Sequence, residues 1–252
     1  MQLRSDLLHA LDASLFARDA LGIELDDWQA NVLTAPSKRV LLNCSRQSGK
    51  STTSAALALH TAVYRPASLT LMVSPSLRQS NELFRKWRTL AEQMPHPPAM
   101  TQDTSTSATL ANSSRVVSLP SSEATIRGYS AVDLLLFDEA SRVPDDLYQA
   151  CRPMVAVSNG SIVAMSTPWG KRGWWHSAWE SGSMWERVLV PATDVPRISA
   201  AFLAEERASL PPMVFASEYS CEFAATLDEV FRHEDLVLAL DNDLAPLFLE
   251  VA

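Results

Sequence analysis

Two short polar groups in this chain have the residue types and spacing for phosphate chemistry. The first is Ser45-Arg46-Gln47-Ser48-Gly49-Lys50-Ser51-Thr52, which stands between an apolar run starting at Val40 and a helix-prone segment ending at Tyr64. Backbone N–H groups at a helix N-terminus attract phosphate oxygens. In such a loop Lys50 reaches the β- and γ-phosphates of a nucleotide, and the Ser51 hydroxyl holds Mg2+. Gly49 completes the phosphate cradle, and Thr52 contacts an α-phosphate or caps the helix. The second group is Asp138-Glu139, at the end of the apolar run Val132 to Phe137. Asp138 is expected to share the Mg2+ with Ser51. Glu139, one residue on, is placed to orient or deprotonate an attacking water.

The loop departs from G-x-x-x-x-G-K-[ST] in two ways. Position 44, where the first Gly would fall, is Cys44, and Arg46 lies inside the loop. A cation that meets a γ-phosphate only in the transition state raises the rate by orders of magnitude, so Arg46 is a candidate for that role from within its own subunit.

The elements that must position these groups read as an alternation of strands and helices. Strands are expected from Val40, over 69–74, 116–119, 132–137, 161–166 and 185–190. Helices are expected over 3–21, from after Asp26-Asp27-Trp28-Gln29 to Leu33, and over 53–64, 77–93, 145–154, 174–180, 200–209 and 214–219. The segment 101–114 reads as a loop or short hairpin edge. Continuous apolar runs suit parallel strands covered on both faces, and the alternation predicts an α/β fold with a mostly parallel central sheet. Ligands of open α/β sheets bind at the carboxyl ends of the strands, which is where both polar groups fall.

The 252 residues suit one large α/β domain, with or without a small appendage. An apolar fraction of 47% supplies a substantial core. A formal net charge of −8 argues against a free-standing basic DNA-binding module, though not against a local basic patch. The three cysteines are far apart, with no metal-ligand spacing, and suit a reducing compartment. No membrane span or signal peptide is expected. Five of the seven tryptophans fall between Trp169 and Trp185, where core packing is the simplest account.

Four further segments, in order, accompany the two polar groups: Leu25-Asp26-Asp27-Trp28-Gln29, Met72-Val73-Ser74-Pro75-Ser76, Ile126-Arg127-Gly128, and Met165-Ser166-Thr167-Pro168-Trp169-Gly170. With them the chain resembles the ATPase domain of phage terminase large subunits, the motors that pump DNA into procapsids. The Arg-Gln within a loop lacking its first Gly is the most specific element, and the resemblance covers roughly residues 20–231. It implies a P-loop NTPase of the ASCE type, with helices on both faces of the sheet and with ATP and Mg2+ as cofactors. Gln29 would read adenine, the loop residues from Ser45 to Thr52 would bind nucleotide, and Arg127 would be the finger supplied to a neighbouring subunit. Arg142 is a further arginine candidate. Thr167, with Ser166, would sense the γ-phosphate and couple hydrolysis to movement.

The implied organisation is an ATPase domain over 1–231, followed by a linker over 232–252 leading to a nuclease domain that this chain lacks. Within the first part, 1–35 form a helical adenine-side segment, 36–190 the P-loop core and 191–231 a closing subdomain. The implied partners are double-stranded DNA gripped by its backbone without sequence preference, the portal protein and the small terminase subunit. The assembly would be a homo-oligomeric ring, a pentamer, in the host cytoplasm, with the isolated domain monomeric. A helicase-like P-loop ATPase and a non-catalytic nucleotide-binding subunit are the rival readings.

Overall fold

The computed structural model describes residues 2–120, 126 and 128–223. An eight-stranded sheet runs in the order β3-β4-β5-β2-β6-β7-β1-β8. Its strands are β1 (Arg39–Cys44), β2 (Leu69–Ser74), β3 (Met100–Asp103), β4 (Ser107–Leu110), β5 (Arg115–Pro120), β6 (Leu134–Asp138), β7 (Ser161–Ser166) and β8 (Glu186–Val190). The six from β5 to β8 in that order pair in parallel, and β3 and β4 close one edge as an antiparallel hairpin. The segment 101–114 therefore does form the hairpin edge that its small polar residues suggested.

The two cores explain why the strands read as unbroken apolar runs. Side chains alternate across a strand. Val40 and Leu42 face one core with Met72, Leu134, Leu136 and Met165, while Leu41 faces the other with Leu71, Leu135, Phe137 and Ala164. The first core is covered by α4 (Lys50–Tyr64) and α5 (Leu77–Gln93), and it holds the fully buried Trp87 and Phe84, their rings stacked at 5.4 Å. Removing so large a ring from a close-packed core costs roughly 3–5 kcal/mol. The second core is covered by α6 (Asp145–Cys151) and α7 (Gly173–Ser181). There Tyr148 stacks flat on Trp174 at 3.9 Å, and Trp175 is buried beside them. The tryptophan-rich segment thus enters the core through these two rings, while Trp169 keeps 41% of its surface exposed. All three cysteines are buried and unpaired.

The N-terminal helix departs from expectation. A single amphipathic helix over 3–21 is instead α1 (Gln2–Leu11) and α2 (Ala13–Asp19). Asp12 between them is extended, and its carboxylate accepts from Ser14 N at 2.8 Å and Leu15 N at 3.1 Å. An Asp that caps a new helix so well competes with helix continuation. Past the break Phe16 and Ala17 are fully buried, whereas Leu7, Leu8 and Leu11 are exposed. A third helix, α3 (Asp27–Thr34), precedes β1.

After β8 the chain crosses back over the phosphate loop through α8 (Ala200–Ser209) and α9 (Pro212–Glu218). Asn43 Nδ2 donates to Cys221 O at 2.9 Å, Arg46 N to Glu218 O at 3.0 Å, and Ser217 Oγ to Pro168 O at 2.6 Å. The closing segment is therefore stitched to the carboxyl ends of β1 and β7. No helix among the described residues is long and apolar enough to cross a membrane.

Candidate active site

The loop between β1 and α4 shows why its first Gly is dispensable. Cys44 is the last residue of β1, extended and fully buried, so nothing there requires a left-handed backbone. The left-handed positions are Gln47 (φ 59°) and Gly49 (φ 98°). Successive N–H groups in such a turn form an anion-binding concavity. Gly49 caps α4 with a left-handed backbone that a residue with a Cβ rarely adopts, and a Cβ on it would stand 2.7 Å from Gln29 Nε2, which would have to shift.

Arg46, Gln47, Ser48, Gly49, Lys50, Ser51 and Thr52 line one wall of a cavity of about 730 Å3. Glu139, Arg142 and Thr167 line it from the ends of β6 and β7, and Pro75, Gln79 and Lys86 from the β2–α5 side. The two polar groups found in the sequence, 87 residues apart from Thr52 to Glu139, thus share one cleft at the carboxyl edge of the parallel strands. Four cations against two carboxylates, Glu139 and Glu218, give this lining a positive balance in a chain of net charge −8.

The neighbours Asp138 and Glu139 are treated differently by the fold. Asp138 ends β6 and is buried, and its carboxyl is pushed up to about 6, first by that burial and then by the Glu139 charge. Lys50 and Lys86 pull it back down. Glu139 leaves the strand in the left-handed region at φ 50°, ψ 45°, which costs a residue with a Cβ roughly 1–2 kcal/mol. Its N–H donates to Asp138 Oδ1 at 3.0 Å. The turn keeps Asp138 within the sheet and brings Glu139 to the cavity wall. Ser141 and Ser166 pair their hydroxyls at 2.7 Å and join this turn to the end of β7, next to Thr167.

Lys50 is buried, with its Nζ 3.5 Å from Ser45 O. Ser45 itself lies behind the wall, its buried hydroxyl without a partner among the described residues. Gln29 is also behind the wall: its Oε1 accepts from Asp26 N at 2.9 Å, and its amide nitrogen lies beside Gly49. Asp138, too, is set back from the cavity lining. Arg46 reaches away from the loop to Glu218, Nε to Oε2 at 2.7 Å and Nη2 to Oε1 at 3.2 Å. Arg142 lies 3.7 Å over the Trp169 ring. Arg127 is outside the described residues.

Sequence reasoning gave no role to four participants. Glu218 is 172 residues from its partner Arg46, and nothing in the sequence marks the pair. Arg197 holds Asp26 through two bonds of 2.8 and 2.7 Å and also donates to Ser48 O at 3.0 Å, tying the closing segment to α3 and to the phosphate loop. These Arg197 hydrogen bonds lower the Asp26 carboxyl below its ordinary value. Lys86 and Gln79, seven residues apart on α5, did carry a signal: that spacing puts both on one helix face, beside the end of β2.

The residues present fit a phosphate chain and a hard divalent cation. The loop offers N–H donors and Lys50, and the cavity has the size of a small-ligand site. Asp138 is a buried carboxylate whose charged form lacks sufficient compensation, which a cation would supply.

Known proteins agree with this geometry. The ATPase domain of the large terminase of Thermus phage P74-26 superposes with a TM-score of 0.71 at 22% identity, covering 85% of this chain and 99% of that one. The large terminase of thermophilic bacteriophage D6E, solved with ADP, gives 0.67 at 12% identity, covering 80% and 54%. By sequence, the terminase large subunit of Thermus virus P23-45 is 24% identical over 88% of this chain and 53% of its own length. The chain thus spans about half the length of the curated relatives it matches. The family model described as "Terminase large subunit, T4likevirus-type, N-terminal" matches residues 41–238. A mostly parallel sheet with a phosphate loop and an Asp-Glu pair at its carboxyl edge is thus joined to a family match over most of the sequence, and the chain belongs to the N-terminal domain family of terminase large subunits.

Proposed function

We propose that this chain is the ATPase motor domain of a viral DNA-packaging terminase, hydrolysing ATP to translocate double-stranded DNA into a procapsid. The observation that carries this reading is the single cavity shared by the phosphate loop, Glu139 and Thr167. The D6E large terminase, solved in complex with ADP, supports a nucleotide as the ligand.

In this reading the loop N–H groups and Lys50 hold the phosphates. Ser51 and Asp138 would hold Mg2+, which neutralises charge on the phosphate oxygens. Glu139 orients a water and takes its proton as the water oxygen bonds to the γ-phosphorus. The bond to the β-γ bridging oxygen breaks, and ADP and phosphate leave. Arg46 meets the γ-phosphate after leaving Glu218, and Thr167 senses the loss of phosphate at the end of β7. Arg127 acts on a neighbouring subunit in a homo-oligomeric ring seated on a portal. Gln29 supports the loop at Gly49 beside the adenine side. DNA is held by its backbone, so binding is salt-sensitive and indifferent to sequence.

The test is steady-state phosphate release by the wild type beside Glu139→Ala. The expected loss is at least about a hundredfold, the usual worth of a positioned general base. Equal rates in the two proteins would reject the motor reading in favour of a nucleotide-binding scaffold.

A further inference from the structure

Four cations line the cavity, and three are already engaged. Arg46 is paired with Glu218, Arg142 is stacked on Trp169, and Lys50 is drawn to Ser45 O. Lys86 is the fourth. Among the described residues no hydrogen bond or ion pair engages its ammonium group. It lines the cavity from the β2–α5 side, on a helix anchored by the buried Leu83, Phe84 and Trp87.

The direction of the side chain is set by the helix. Side chains lean toward the helix N-terminus, and the N-terminus of α5 follows the carboxyl end of β2, where the strand ends meet the site. Gln79, two turns earlier on the same face, lines the same cavity. The α5 helix itself begins with a cap, Ser76 Oγ accepting from Gln79 N at 3.3 Å, so this face is fixed in orientation. The Lys86 charge is felt at Asp138, which is set back from the cavity lining.

Resting on the nucleotide reading above, we propose that Lys86 contacts the terminal phosphate of the bound triphosphate and so distinguishes a nucleoside triphosphate from the diphosphate. Lys50 holds the phosphates from the loop side. Lys86 closes on the γ-phosphate from the α5 side, where a diphosphate presents nothing to meet it. A salt link to a phosphate oxygen is a charge-assisted hydrogen bond, worth about tenfold in affinity.

The experiment is calorimetric titration of the 252-residue chain with ATPγS and with ADP, each with Mg2+, for the wild type, Lys86→Gln, Lys86→Arg and Lys50→Ala. The expected result for Lys86→Gln is ATPγS binding weaker by about tenfold, with ADP affinity within about twofold of wild type. Lys86→Arg restores most of the loss, and Lys50→Ala weakens both ligands. Because Lys86 is exposed, Lys86→Gln keeps the wild-type melting temperature. An equal loss for ATPγS and ADP, or no loss for either, overturns the proposal while leaving the nucleotide site standing. Weakened binding of a random DNA duplex with unchanged ATPγS affinity overturns it in favour of a DNA contact. Failure of the wild type to bind either nucleotide overturns the nucleotide reading and this proposal together.

Discussion

The two flanks of the phosphate loop are built on opposite electrostatic terms. On the strand flank, Lys50, Asp138 and Ser45 are all buried. On the flank facing the closing segment, the side chains of Arg46 and Arg197 are 63% and 50% exposed, and each is held by a carboxylate, Glu218 or Asp26, that is itself 15% or 12% exposed. A charge withdrawn from water interacts strongly and is costly to leave uncompensated. An exposed ion pair is screened and worth about 0–1 kcal/mol. The strand flank is therefore fixed, and the other flank can exchange partners at small cost. Under the proposed motor reading, that division would let the closing segment move while the phosphate contacts stay put.

The sharpest way to break this comparison is at Arg46, an exposed residue to which the proposed mechanism assigns a large role. Arg46→Ala should lower ATP turnover by about a thousandfold, with the melting temperature nearly unchanged, as measured by phosphate release and thermal melts. A drop of less than about tenfold would make Arg46 a tether of the closing segment and nothing more.

Next in size is Asp138. Its carboxyl, raised to about 6, is neutral in both folded and unfolded chains below the unfolded value of 3.8. The penalty for its charge builds as pH rises from there toward 6 and is complete above it. Without Mg2+, Asp138→Asn should therefore stabilise the fold at pH 8 by about 2–3 kcal/mol, with the gain vanishing near pH 4. Denaturant titrations at the two pH values measure it, and a gain independent of pH would refute the cause.

The Asp26–Arg197 pair should yield a smaller coupling. A double-mutant cycle with Asp26→Asn and Arg197→Gln is expected to give about 1 kcal/mol in low salt and less at 1 M salt. A salt-independent coupling would place this pair among the strand-flank interactions. The smallest effect is expected at Glu218. Releasing Arg46 by Glu218→Gln should tighten ATPγS binding by about threefold, because one exposed pair no longer has to open. Weaker ATPγS binding would mean that Glu218 orients Arg46 instead of restraining it.

What the sequence made legible was what local physics encodes. The β1, β2, β6 and β7 runs are apolar because both faces of a central parallel strand are covered, so their order and their polar ends can be read directly. The same holds for Lys50, Ser51 and Glu139, each adjacent to a strand it follows or a helix it opens. The break at Asp12 was hidden because Leu7, Leu8 and Leu11 mimic a buried stripe, yet all three face out. The pairs Arg46–Glu218 and Asp26–Arg197 span 172 and 171 residues and are made by exposed, common residue types, so no periodicity announces them. Gln29 carries a motif, but its carboxamide serves the start of α3 and the underside of Gly49, a packing role that a motif does not reveal.

The burial of the three cysteines has a practical consequence. Desolvation pushes the thiols of Cys44, Cys151 and Cys221 up to about 12. Alkylating dyes react with thiolates, so the buried native thiols should react slowly at neutral pH. A single cysteine introduced on the outer face of α8 would then take up a fluorophore alone. Any movement of the closing segment over the phosphate loop would then be visible by fluorescence without removing any natural residue.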